Sequence, residues 1–303
     1  MTAPILNPID LPAGEIAVRG AFDLAAAARR LVQHGSAGPG AVRLAFPVEG
    51  PWVHAGALIR QSCPGMVEVE VIAPVEVAAR VVGQVRRMFS LDVDAASFLE
   101  VATRDPIARR LMARHPGVRP VLFSSPYEAA CWAVLTQGRP VAQAERCRQR
   151  LVGRYGRVIE HEGVRLASFP VPQALAGLTE EPGLGRFRLA RLRAVARAAV
   201  EGRLEAEELR ALPIAEALAR LRAIPGIGAF SAEQILQNGA GHPDLFPRLD
   251  TRLHRFLHEQ YSLPPDSPVQ NLEELAGEWR PYRSWVAHLW RVDQEASVEG
   301  ARW

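Results

Sequence analysis

The stretch Leu221–Leu257, LRAIPGIGAFSAEQILQNGAGHPDLFPRLDTRLHRFL, decides how this chain is read. Leu218 and Leu221 stand at helical spacing before Ile224-Pro225-Gly226-Ile227-Gly228, and Ala232, Ile235 and Leu236 resume an apolar stripe after it, so the glycine segment is a very short turn between two helices. Its glycines let the backbone approach another molecule closely. The amides that open the next helix, around Gly228 and Ala229, have no intrahelical partner and suit a phosphate oxygen. Gly226, Ile227, Gly228 and Ala229 are therefore candidates for gripping a nucleic-acid backbone without reading bases; an ordinary tight helical connection is the competing reading. Asp250 lies 22 residues beyond Gly228, where Pro247 interrupts the chain just before the helical pattern Leu253, Phe256, Leu257. It is either an N-cap, worth about 1 kcal/mol, or a carboxylate with chemistry to do.

Composition bounds the answer. A chain of 303 residues with 48% hydrophobic content has room for two or three domains with real cores. No apolar run approaches the ~20 residues of a membrane span and no signal peptide opens the chain, which predicts a cytoplasmic protein, monomeric and without a membrane partner. Cys63, Cys131 and Cys147 are odd in number and widely spaced, so neither a disulfide framework nor a zinc site follows. Net charge is only +3, yet all 36 basic residues are arginine. Arginine cannot form an imine, so no side-chain amine is present to attack a sugar carbon.

Outward from the glycine segment the chain divides in two. Over residues 1–95, a helix at Phe22–Val32, β-rich runs at Val42–Val48, Trp52–Arg60 and Met66–Ala73, and a helix at Val75–Phe89 predict a small α+β domain with an antiparallel sheet. Over residues 96–303 helical patterns take over: Ala96–Arg114, Tyr127–Thr136, Val141–Tyr155, Arg186–Glu201, Ala215–Arg222, the turn, the Asp250 helix, and a last helix through Trp285–Val292. This predicts an all-α unit of two helical subdomains flanking a cleft, in an α+β protein overall. His254 and His258 stand four apart on one helix, but without a third ligand they are read as solvated or nucleic-acid-facing residues.

Glycine hairpin, proline-bearing loop and aspartate at this spacing resemble the helix-hairpin-helix DNA glycosylases. Ser125-Pro126-Tyr127-Glu128 with Leu135-Thr136-Gln137, the run Leu184-Gly185-Arg186-Phe187-Arg188, and Trp279-Arg280-Pro281-Tyr282-Arg283-Ser284-Trp285 are similar to segments of the bacterial 3-methyladenine DNA glycosylase II group, over essentially the whole chain. The resemblance implies double-stranded DNA carrying alkylated bases as partner, with Asp250 as the catalytic carboxylate. It implies a substrate pocket drawn from Gln137, Phe230, Gln234, Thr251, Trp285 and Trp290, the last falling one residue short of the family's pocket tryptophan. It implies no cofactor for catalysis, but a monovalent cation, Na+ or K+, on the hairpin carbonyls of Arg222, Ile224 and Ile227. Arg139, Arg248, Arg252 and Arg255, with the hairpin amides, are its expected DNA contacts.

Departures from the family pattern carry their own expectations. The apolar wedge that fills the gap left by a flipped nucleotide falls on Gly138, which has no side chain, so the plug passes to Arg139. Bifunctional relatives carry an imine-forming lysine where this chain has Phe230, which implies a monofunctional enzyme that leaves an abasic site. No cysteine lies beyond Cys147, which excludes the branch with a C-terminal iron-sulfur loop. Gln234 and Thr251 replace pocket tyrosines, and the family's N-terminal pocket phenylalanine falls near Arg30; both point to a wider, more hydrated pocket. The alternatives are a damaged-DNA-binding protein without turnover, and a glycosylase for deaminated or oxidised bases.

Overall fold

The computed structural model describes residues 5–6, 14–31, 35–38 and 40–300. The expected N-terminal sheet is present as five antiparallel strands in the order Gly14–Ala17, Met66–Ile72, His54–Cys63, Ala41–Pro47, Gly35–Gly38. Val67-Glu68-Val69-Glu70-Val71 alternates as a half-buried strand must, each valine buried and each glutamate partly in water. One face packs under the helix Ala78–Met88, whose Val81, Val85 and Met88 join Val42, Leu44 and Phe46 in one core. The helix expected at Phe22–Val32 is shorter, Leu24–Ala28, with Asp23 accepting the Ala26 amide at 3.0 Å as its N-cap; Val32 lies outside the described residues.

Two helical lobes follow. The first is built on a core from Tyr127 to Leu245, and the second joins Ala95, Phe98, Val101 and Leu111 to Phe246, Leu253, Phe256, Trp285 and Trp290. The chain therefore starts in the second lobe, crosses into the first, and returns. The two crossings run side by side: the Phe123 amide donates to the Asn238 carbonyl at 2.8 Å, and a Cβ on Gly239 would lie 2.8 Å from both Pro126 Cα and Ala129 Cβ. The sheet domain grips the same place. The Leu122 amide donates to the Met88 carbonyl at 2.8 Å, and Gln84 and Arg87 each donate to the Ser124 carbonyl at 2.8 Å. Arg87 also pairs with buried Glu49 at 2.7 Å, and Glu49 in turn accepts the Ala206 amide of the first lobe at 2.5 Å.

Two expectations need correction. Residues beyond 96 are not all helical: Arg157–His161 and Val164–Ser168 form an antiparallel hairpin, turned by Glu162 and Gly163 at φ 47° and 74°. Both turn residues at positive φ make the tight turn whose twist suits a two-residue hairpin, and Ile159 packs with Ala45 and Ile72 on the outer face of the large sheet. The helix expected over Ala96–Arg114 is three: Ala95–Phe98, Val101–Arg104 and Pro106–Arg114. Proline disfavours helical backbone at the residue before it, so Asp105 is extended and caps the new helix by accepting the Ala108 amide at 2.6 Å.

Candidate active-site cleft

The glycine turn is as the sequence predicts. Helix Ile214–Arg222 and helix Ala229–Asn238 are joined through Gly226 at φ 97°, with Ile224 and Ile227 buried beneath the turn. Positive φ and the crowding of Arg191, whose Cγ would lie 2.6 Å from an added Cβ, both require glycine at 226. Nothing stands within 4 Å of a Cβ built on Gly228, so the opening of the second helix is clear for a ligand.

Asp250 is both things its sequence context allowed. It is the N-cap of helix Thr251–Gln260, Oδ1 accepting the Arg252 and Leu253 amides at 3.1 and 3.2 Å. Its other oxygen accepts from the Arg291 guanidinium at 2.8 Å, on the C-terminal helix Arg283–Gly300. Burial works to raise the pKa of this carboxyl; the Arg291 hydrogen bond and charge, with the two amides, outweigh it and hold the pKa below the usual carboxylate value. The group is ionised at neutral pH, oriented through both oxygens, and set in a cavity of about 830 Å³ between the lobes.

Phe230, Gln234, Leu249, Thr251, Trp290 and Arg291 share that cavity with Asp250. Trp290 is 5% exposed and lies against Phe256, ring centroids 5.5 Å apart, so this wall is aromatic despite glutamine and threonine at the expected tyrosine positions. Arg252 and Arg255 are exposed on its rim. Arg30 reaches the same rim, bonding Glu295 at 2.8 Å.

Other expected site residues stand elsewhere. Trp285 does not line the Asp250 cavity: its ring is packed against Phe98 and Tyr282 in the core of the second lobe. The reason is helical phase, since it sits five residues before Trp290 and so lies well around the helix from it. Gln137 lines a neighbouring cavity of about 300 Å³ that shares Phe230 and Gln234 with the first. Its amide is committed to the hairpin, donating to the Gly226 carbonyl at 2.7 Å and accepting from Arg191 at 2.8 Å. Arg139 folds back on its own lobe, donating to Cys147 Sγ at 3.3 Å and the Gly183 carbonyl at 3.1 Å. Gly138 beside it has φ 62° and open space where a side chain would be. Arg248 is exposed and paired with Glu273 at 2.6 Å. His254 stacks on Phe246, and its ring nitrogen bonds the Pro247 carbonyl at 3.1 Å. Of the three hairpin carbonyls, that of Ile224 already accepts the Ile227 amide at 3.0 Å, leaving it one lone pair.

Two residues of the site escaped the sequence reading. Arg291 carried no signal beyond standing next to Trp290. Glu233 is 5% exposed on the hairpin helix and accepts the Leu249 amide at 3.2 Å, so it ties the hairpin to the loop that presents Asp250. A lone acid inside the stripe Ala232, Ile235, Leu236 was the available clue.

No family model matches the chain. The DNA-3-methyladenine glycosylase of Bacillus subtilis is 27% identical over 218 residues, 70% of this chain and 72% of that protein. A probable bifunctional transcriptional activator/DNA repair enzyme AlkA of Mycobacterium tuberculosis is 28% identical over 208 residues, 68% of this chain, which spans only 41% of that longer protein. Among solved structures, the 3-methyladenine DNA glycosylase of Archaeoglobus fulgidus superposes with TM-score 0.74 at 20% identity, covering 91% of this chain and 96% of that one. An 8-oxoguanine glycosylase/lyase of Clostridium acetobutylicum bound to double-stranded DNA superposes with TM-score 0.67 at 18% identity, covering 95% and 99%. These likenesses share the fold.

Proposed function

We propose that the chain is a helix-hairpin-helix DNA glycosylase of base excision repair, a monofunctional hydrolase that removes alkylated bases of the 3-methyladenine and 7-methylguanine type; its likeness to the DNA-3-methyladenine glycosylase of Bacillus subtilis supports the reading. The observation that carries this reading is Asp250, ionised, doubly anchored and open to the cleft.

Breaking an N-glycosidic bond develops positive charge on the sugar, and a fixed carboxylate in a partly desolvated cavity opposes that charge as it forms. Arg291 and the two helix amides keep the carboxylate charged and aimed; water from the open cavity completes the hydrolysis. N-alkylated purines are already cationic and leave with little further protonation, which fits a cleft whose Asp250 carboxylate is held ionised. Phe256 and Trp290 offer faces on which an electron-poor base stacks. The hairpin amides and Arg252 and Arg255 are placed to hold the backbone of a DNA whose target nucleotide has been flipped out. Support for hydrolysis without strand cleavage comes from the total absence of lysine and from Phe230 in the cavity wall. A monovalent cation on the carbonyls of Arg222, Ile224 and Ile227 would stiffen the hairpin and take no part in any step.

The test is release of 3-methyladenine, 7-methylguanine, 1-methyladenine, ethenoadenine, hypoxanthine and 8-oxoguanine from duplex DNA, with and without alkali. The expected result is release of the alkylpurines, strand breakage only after alkali, and no adduct trapped by borohydride. Release of 8-oxoguanine or hypoxanthine in place of the alkylpurines overturns the substrate assignment.

A further inference from the structure

A flipped nucleotide leaves two unstacked base pairs around a hole, and DNA-bending proteins hold such a step open with an inserted apolar or aromatic side chain. In this chain the obvious position is vacant, since Gly138 has no side chain, and Arg139 is spent on Cys147 and the Gly183 carbonyl. The helix Arg186–Val200 starts beside that turn: Arg188 donates to the Val134 and Gln137 carbonyls at 3.2 and 2.5 Å. Arg191 lies against Gly226 of the hairpin and bonds Gln137.

One helical turn before Arg191, on the same stripe of that helix, stands Phe187. It is 69% exposed, more than any other large apolar side chain among the described residues, and it lines neither of the two cavities of the cleft. The Arg186 guanidinium lies 4.7 Å from its ring centroid. An aromatic ring left in water at the edge of the hairpin contributes little to folding. Phe230 and Leu249, also exposed, line the Asp250 cavity and would meet the flipped base itself.

We propose that Phe187, with Arg186 stacked on it, is the plug that enters the DNA stack when the target nucleotide leaves it. A rigid ring fills the hole and offers a face to the neighbouring base, while Arg191, exposed beside the hairpin, is placed to meet a flanking phosphate. The inference rests on the chain's acting on flipped bases, so its test is chosen to need no base release.

Binding is measured by fluorescence anisotropy to two duplexes, one intact and one carrying a tetrahydrofuran abasic analogue, which presents the hole ready-made. Wild type is expected to prefer the abasic duplex; Phe187→Ala loses about 10- to 100-fold of that preference, the range expected for one base–aromatic stack, and Phe187→Tyr keeps most of it. Arg139→Ala keeps the preference, because that guanidinium is committed to Cys147 and the Gly183 carbonyl. Thermal melting of Phe187→Ala should match wild type, because the ring is exposed. The proposal is overturned if wild type shows no preference, if Phe187→Ala retains it, or if that variant weakens both duplexes equally. A wild type that prefers the abasic duplex yet releases no alkylated base leaves the plug standing and removes the substrate assignment instead.

Discussion

Replacing Asp250 by asparagine separates its two structural roles. Asparagine caps a helix about as well as aspartate, so the bonds from the Arg252 and Leu253 amides persist and helix Thr251–Gln260 keeps its start. What disappears is the negative charge, and with it the pair to Arg291 at 2.8 Å. For a partly exposed pair the cost is about 1 kcal/mol or less, which moves the melting temperature of a domain this size by roughly 2–4 °C. The chemical cost is larger. A carboxylate at about 4 Å from a developing unit charge, at an effective dielectric near 20, contributes about 4 kcal/mol, and each 1.36 kcal/mol is tenfold in rate. Arg291 stays behind without its counter-charge and leaves the cleft positive. The expected loss in single-turnover base release is therefore about 10³-fold, with binding to an abasic-analogue duplex within a few-fold of wild type. A variant within tenfold of wild type in the chemical step would refute the electrostatic role of Asp250, and one that fails to fold would refute the separation of roles.

Two further outcomes follow from the charges around the site and the core. Arg291→Gln removes what holds the Asp250 pKa down; a carboxylate with a depressed pKa stays active as pH falls, so the acid limb of the single-turnover rate should move to higher pH in the variant, and an unmoved limb counts against Arg291 as the group that keeps Asp250 ionised. Glu128 is buried, its carboxyl taking the Ser124 hydroxyl at 2.6 Å, and burial pushes its pKa up to about 7. The folded state then favours the protonated form, so this contribution to stability is complete below about pH 4.5 and is lost as pH rises to about 7, by at most roughly 3 kcal/mol. Glu128→Gln should flatten that part of the melting profile between pH 5 and 8.

The helices around the hairpin were legible because each carries a long apolar period bounded by glycine or proline. Val141–Tyr155 is found with its predicted bounds, and the hairpin and the helix opened by Asp250 stand where spacing put them. Short elements were not. The strands at Arg157–His161 and Val164–Ser168 are five residues each, too brief for alternation to outweigh the helical pattern around them. The site was legible in part for a related reason. Asp250 announces itself through its spacing from Gly228, whereas Arg291 and Glu233 matter only through partners 41 and 16 residues away. Arg139 was a reasonable plug on sequence, because nothing in its neighbourhood reveals that Cys147 and Gly183 claim its guanidinium.

The paired crossings between the lobes give the N-terminal sheet domain a purpose that its own sequence does not advertise. Two neighbouring connections, Phe123 against Asn238, would by themselves form a pivot about which the cleft could gape. Gln84 and Arg87 hold the Ser124 carbonyl, the Met88 carbonyl holds Leu122, and Glu49 reaches across to Ala206. The sheet domain is thus a splint laid across the pivot, and it sets the spacing between hairpin and Asp250. On the proposed function, it is then the duplex that has to bend.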